Sequence, residues 1–243
     1  MLLDQYIRVV QEQLDYILET QRGKITEIAG KIAESIAAGG IMHVFGSGHS
    51  HMIAEDVFHR AGGLACVNAM LEPSLMELNI GRATLLERLP GYAEVLLTGY
   101  DLRPGEVIVV VSNSGINAVP IEVALACKQR GLYVVALTNM DHSMKTTSRH
   151  ESGMKLHEVA DIVLDNCGVY GDAVLSYDDG GQKMGATSTI GGIALIQALT
   201  VAIVEVLQTS GYKPPVLISA NRDGGDGHNQ KLIDRYRSRI RYL

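Results

Sequence analysis

Residues 109–139 read VVVSNSGINAVPIEVALACKQRGLYVVALTN, and the fold turns on this stretch. Val107–Val111 is an unbroken β-branched run, the composition of a strand buried on both faces. It gives way to Ser112-Asn113-Ser114-Gly115-Ile116-Asn117. The spacing then predicts a helix over residues 117–130, with Asn117 as N-cap, Pro120 in the first turn and Gly131 past the end. A second apolar run, Tyr133–Leu137, completes the unit. Strand, loop, helix, strand at this spacing is a βαβ unit, which makes the sheet parallel.

The same grammar extends in both directions. Ile41–Phe45 is a short apolar run that enters a glycine loop, Gly46-Ser47-Gly48-His49-Ser50, followed by a predicted helix over 50–61 that stops at Gly62-Gly63. Leu64–Val67 and Ile162–Leu164 supply two more strands. The expected fold class is therefore α/β: a three-layer sandwich whose mostly parallel five-stranded sheet is flanked by helices. Leu3, Tyr6, Ile7, Val10, Leu14, Ile17 and Leu18 recur at helical spacing, so an amphipathic helix over 2–20 precedes the sheet. Gly23 is expected to interrupt it before a second helix from Ile25 to about residue 38. Residues 185–209 form a long, nearly all-apolar helix that is expected to be buried. Segments 70–100 (helical pieces) and 165–184 (rich in glycine and aspartate) are left without a firm assignment. No linker or repeat divides the chain, so it reads as one domain: a helical extension over 1–38, a core over 39–210, and a tail with a final helix over 211–243.

Composition excludes several classes. The chain has 243 residues, 47% apolar and 20% charged, which is globular rather than disordered. A net charge of −6 argues against nucleic acid as a partner. The crowded Arg235, Arg237, Arg239 and Arg241 read as a solvated helix face or a subunit contact. Three scattered cysteines make no disulfide framework and no zinc motif. The N-terminus, with Asp4 and Arg8 inside its apolar stretch, is no signal peptide, and Ile193 to Leu207 is broken by Gln197, Thr200 and Glu205, too short and polar to span a bilayer. The expectation is a cytoplasmic protein with no membrane partner.

Parallel α/β sheets bind ligands at the carboxyl ends of their strands, and both loops lie there. Each runs into a helix N-terminus, whose free N–H groups and positive dipole end suit a phosphate. Serine hydroxyls add donors, and glycine permits close backbone approach. A dinucleotide fingerprint fails because His51 stands where its last glycine belongs, and no Walker A pattern occurs.

A strand followed by GSGHS, a second strand ending in SNSG before a helix, and a third ending Leu137-Thr138-Asn139 together resemble the SIS (sugar isomerase) domain family, which includes phosphoheptose isomerases. With its GHSHM, RAGG and late Gly171-Asp172-Ala173, the chain is most similar to a subgroup of sugar-isomerase-domain proteins to which no reaction is assigned. The resemblance implies that Ser112, Asn113, Ser114 and Gly115 hold a sugar phosphate and that Gly46, Ser47, Gly48, His49 and Ser50 line the sugar site, with Thr138 at the end of the third strand. Asn117 stands where the family often has serine or threonine as a further phosphate ligand.

Interconverting an aldose and a ketose needs a base that moves a proton between adjacent carbons and an acid for the carbonyl oxygen. The candidates are Glu72, His51 and His49. His49 sits in a glycine loop where packing gives little reason for a large side chain; Glu72 follows the second predicted strand, with helix capping or a subunit contact as its plainer explanation. His51, Glu55 and His59, spaced by four, share a helix face, either as a polar stripe or as a metal or proton relay; no metal and no cofactor are expected. Asp172, Asp178 and Asp179 read as a surface loop or a lid. Thr187, Ser188 and Thr189 read as helix caps or ligand contacts, and His228 as part of a loop before the last helix that could reach a partner. His142, His150 and His157 read as exposed. The expected function is isomerisation of a phosphosugar; the alternatives are an etherase-like lyase and a non-catalytic phosphosugar sensor. The apolar face of the first helix calls for a partner surface, so a homodimer or homotetramer is expected.

Overall fold

A computed structural model of the chain describes every residue except Asn79, Asp179 and Gly180, with Ile80 described by its backbone alone. Five strands, β1 (Met42–Gly46), β2 (Val67–Met70), β3 (Val107–Val111), β4 (Tyr133–Thr138) and β5 (Ile162–Asp165), pair in the order β2-β1-β3-β4-β5. Every pairing is parallel. This is the α/β architecture that the sequence predicts. The chain leaves β1 for one edge and returns to β3 on its other side, so the strand order reverses between β1 and β3. A crevice opens at such a switch point. Gly46 and Val111 are in register, which sets the two candidate loops level with each other.

Alternate strand residues face opposite layers. Met42, Val44, Val109 and Leu137 pack with α1 (Leu2–Ala37), α2 (His51–Asp56) and α8 (Ser188–Thr209). Phe45, Ile108, Val110 and Ala136 pack with α4 (Tyr92–Leu97), α5 (Ala118–Gln129) and α7 (Leu156–Val159). The remaining elements are α3 (Ile80–Glu87), α6 (Met140–Met144), a hairpin of β6 (Ala173–Ser176) and β7 (Lys183–Ala186), and α9 (Gly225–Tyr236). Cys66 and Cys127 are free and buried, and burial pushes both thiols up to about 12.

Several sequence expectations need correction. α1 is one helix, not two: a Cβ at Gly23 would meet nothing within 4 Å, and the buried Gln21, Ile25 and Ile28 carry the helix through it. Packing of that face outweighs the cost of one helical glycine, about 1 kcal/mol. β2 starts at Val67 instead of Leu64, because Leu64 bridges to Val216. Its continuation was masked by polar Asn68, which is buried and donates to His43 Nδ1 at 3.0 Å. The helix predicted over 50–61 is shorter; His59 adopts φ 44, outside the helical region. α8 is long and apolar enough to cross a membrane, with a mean hydropathy of 2.2, contrary to the reading of residues 193–207. Here it lies along the sheet, burying Leu195, Ile196, Leu199, Ile203 and Leu207 in the core.

Arg239 is not a solvated cation. It is largely buried and pairs with Glu106 at 2.7 Å and with Asp101. Glu106, 2% exposed, also accepts from His43 Nε2 at 2.9 Å and from the Ile41 N–H at 3.1 Å. Burial pushes the Glu106 carboxyl up, but hydrogen bonds from His43 and Arg239 outweigh it and hold the group below its ordinary value.

Candidate active site

β1 ends at Gly46 and the chain turns through a 3-10 turn, Gly48–Ser50, into α2. His51 Nδ1 donates to the Gly48 carbonyl, with Glu55 3.6 Å from its other nitrogen. His51 is therefore a strut of the loop. Gly48 has φ +54, and a Cβ there would come within 2.9 Å of Glu77 Oε1. A side chain would push Glu77 away.

β3 ends at Val111, and the Ser112–Asn117 turn leads to the N-terminus of α5. Ser112 Oγ accepts from the Gly115 N–H at 3.2 Å. Gly115 has φ +65 and backs onto Thr138, Leu156 and Ser143, so a bulkier residue would be strained and crowded. Thr138 is buried and donates to the Asn113 carbonyl at 3.3 Å. Asn117 is the N-cap by position, yet its side chain makes no cap bond; its Oδ1 accepts from Arg149 at 2.8 Å.

Between the loops lies a cavity of about 390 Å³, within the roughly 300–1,000 Å³ range of small-molecule sites. Of the residues expected at the site, Ser47, Gly48, His49, Ser50, Ser112, Asn113, Ser114 and Asn117 line it. Gly46, Gly115, Thr138 and His51 stand behind that lining. Glu72 is not in the wall: its Oε1 accepts from Ser74 Oγ at 2.6 Å and from the Ser74 N–H at 3.2 Å, capping a 3-10 turn over Pro73–Leu75. The stripe of His51, Glu55 and His59 is broken by the end of α2, and no group of three or more His, Cys, Asp or Glu is arranged to hold a metal ion among the described residues.

Among the described residues, three carboxylates reach the cavity. Glu77 Oε1 lies 3.5 Å from His49 Nδ1, and Glu87 accepts from Ser47 Oγ at 2.8 Å. Asp172 caps α8, accepting from the N–H groups of Thr187 and Ser188 and from Ser188 Oγ. Ser188 and Thr189 line the cavity beside it. No lysine or arginine does so among the described residues. The β6–β7 hairpin borders the site at Ala186, whose carbonyl accepts from Tyr6 of α1 at 2.7 Å. Asp178 takes part in the turn of this hairpin, accepting from the Gln182 N–H; Asp179 lies outside the described residues.

Sequence reasoning missed Glu77, Glu87 and Asn166. The first two come from the aperiodic stretch 70–100 and reach the site through tertiary packing, which no local pattern announces. Asn166 follows β5 directly, so its place at a carboxyl strand end was the available signal. Other histidines also differ from expectation. His142 stacks on Tyr170 with ring centroids 5.0 Å apart. His157 meets Ser143 Oγ at 3.0 Å, and burial lowers its pKa. His150 is nearly enclosed beside Glu122. His228 lies in the first turn of α9 and donates to the Val216 carbonyl of its own chain at 2.9 Å.

With this geometry in place, the comparisons with known proteins are specific. The SIS domain pattern matches residues 5–139. A UPF0309 protein of Caldanaerobacter subterraneus subsp. tengcongensis is 44% identical over the full length of both chains. A phosphoheptose isomerase from Neisseria gonorrhoeae superposes with a TM-score of 0.58 at 18% identity, over 84% of this chain and 97% of that one. One from Francisella tularensis gives 0.56 at 14%, over 84% and 96%. At these identities the two structures speak for the fold.

Proposed function

This chain belongs to the SIS-domain family, and on that footing we propose that its cavity binds a phosphorylated sugar and interconverts aldose and ketose forms by proton transfer. The observation that carries the phosphate assignment is the polarity of the Ser112–Asn117 turn. Ser112 Oγ already accepts from Gly115, and Asn117 Oδ1 from Arg149. Each therefore has its hydroxyl proton or NH2 group left to offer a ligand. Beside them are Ser114 and the first-turn N–H groups of α5, which have no intrahelical acceptor. Such a surface suits a group that only accepts hydrogen bonds, and a helix N-terminus favours its negative charge.

The sugar then extends toward His49 and Glu77. In this reading Glu77, in place of Glu72, takes the proton from C2, and His49 gives one to the carbonyl oxygen at C1. The resulting enediol is resolved by loss of the O2 proton and return of a proton to C1. Glu87 and Asp172 accept hydrogen bonds from sugar hydroxyls. Phosphorylated sugars do not cross membranes unaided, so such a ligand places the protein in the cytoplasm. The proposal also includes a homo-oligomer, supported by exposed apolar side chains on α1 and α8.

The test of the phosphate assignment is calorimetric titration with hexose, heptose and amino-sugar phosphates. Ser114→Ala is expected to weaken binding by about 1–3 kcal/mol through loss of a charge-assisted hydrogen bond. Equal affinity in wild type and variant contradicts it.

A further inference from the structure

The Ser112–Asn117 turn does not set the orientation of its own central amide. Asn113 lines the cavity and can show a ligand either its carbonyl oxygen or its NH2 group; whatever engages the other end decides which. That partner is Asn166, which lies far away in sequence, just beyond β5.

The Gly168 backbone N–H can only donate, so the Asn166 side-chain atom 2.9 Å from it is the oxygen, Oδ1. Asn166 Nδ2 is then the atom that meets Asn113, also at 2.9 Å. A donor requires an acceptor, so Asn113 turns Oδ1 toward Asn166. Its NH2 group has no acceptor among the described residues and is left to the cavity. Asn166 is pinned in place: it is 2% exposed, its N–H donates to the Thr138 carbonyl at 2.9 Å, and its carbonyl accepts from Gln13 of α1 at 2.7 Å.

We propose that Asn166 is a positioning residue that sets the hydrogen-bond polarity of the cavity, holding the Asn113 amide with its NH2 group toward the ligand. Its consequence for affinity rests on the reading of this turn as a phosphate site. Aspartate at position 166 still satisfies Gly168 with one oxygen, but its other oxygen demands a donor. Asn113 then rotates, and its carbonyl oxygen faces the ligand where an NH2 group stood. The phosphate meets an acceptor in place of a donor.

The experiment uses full-length ¹⁵N-labelled protein, wild type and Asn166→Asp. NMR measures water exchange of the side-chain amide protons, and fructose 6-phosphate is titrated into each. In the wild type, the Asn166 NH2 group exchanges slowly and that of Asn113 rapidly. In Asn166→Asp, the Asn113 NH2 group becomes protected and affinity falls at least about tenfold, the factor for 1.4 kcal/mol. A protected Asn113 NH2 group in the wild type overturns the proposal, as does an unprotected one or unchanged affinity in a folded variant. If the wild type does not bind fructose 6-phosphate yet the amide switches, the polarity assignment stands and the phosphosugar reading fails for this sugar. If the variant does not fold, the wild-type exchange pattern alone decides.

Discussion

At the scale of single residues, Glu77 and His49 stand 3.5 Å apart at the cavity wall, and the proposed proton transfer rests on this pair. Glu77→Gln keeps the size and hydrogen-bonding reach of the side chain but removes its basicity. Turnover is therefore expected to fall by at least about 10²-fold, the low end of what a general base contributes, while phosphosugar affinity survives. Wild-type rates in that variant remove Glu77 from the mechanism. The cavity-lining residues of the Ser112–Asn117 turn were legible in the sequence because they follow one another in a single turn, between a strand and a helix that announce themselves. Glu77 was not. Its segment has no periodicity, and Glu72 had the stronger local claim, standing just after a predicted strand and before Pro73. The structure gives Glu72 the plainer role of a cap, and Gly48 makes the room that Glu77 occupies. Asn166 was equally silent, since it meets Asn113 across 53 residues of sequence, a contact that no local pattern announces.

At the scale of elements, strand and helix types were readable wherever side chains served one purpose. Val107–Val111 packs both layers and reads as a strand from its composition alone. Boundaries failed where a polar residue was buried for a partner's sake. Asn68 hid the second half of β2 because it is there to meet His43. The same cluster joins β1 and the approach to β3 to the C-terminal segment through Glu106 and Arg239. Removing one member of a buried ion pair leaves the other uncompensated, which costs about 3–5 kcal/mol. Glu106→Gln is expected to destabilise the fold by that order near neutral pH. Because the folded-state pKa of Glu106 is depressed, its contribution is present above the unfolded-state value of about 4.3. It is lost as pH falls through the folded value. Thermal denaturation across pH should thus show the gap between wild type and variant narrowing below about pH 4. A gap independent of pH contradicts the charged role of this carboxylate.

At the scale of the whole molecule, the parallel strands are joined by helical crossovers, and the order β2-β1-β3-β4-β5 reverses between β1 and β3, where the cavity opens. α1 runs past the sheet, reaching the β6–β7 hairpin through Tyr6, and leaves Leu3 66% and Leu18 55% exposed, as α8 leaves Val201 66%. On the proposed reading these exposed apolar side chains of α1 and α8 belong to a subunit interface, so light scattering is expected to return the mass of a dimer or tetramer. A monomeric mass contradicts that part of the account. The central claim is that this cavity takes a phosphosugar and moves a proton on it. Proton NMR in deuterated water, with the wild-type protein and a panel of hexose, heptose and amino-sugar phosphates, tests it most directly. The account predicts replacement of a C1 or C2 hydrogen by deuterium with at least one sugar, abolished in Glu77→Gln. No exchange with any sugar that binds contradicts the enzymatic claim and leaves a phosphosugar sensor in its place.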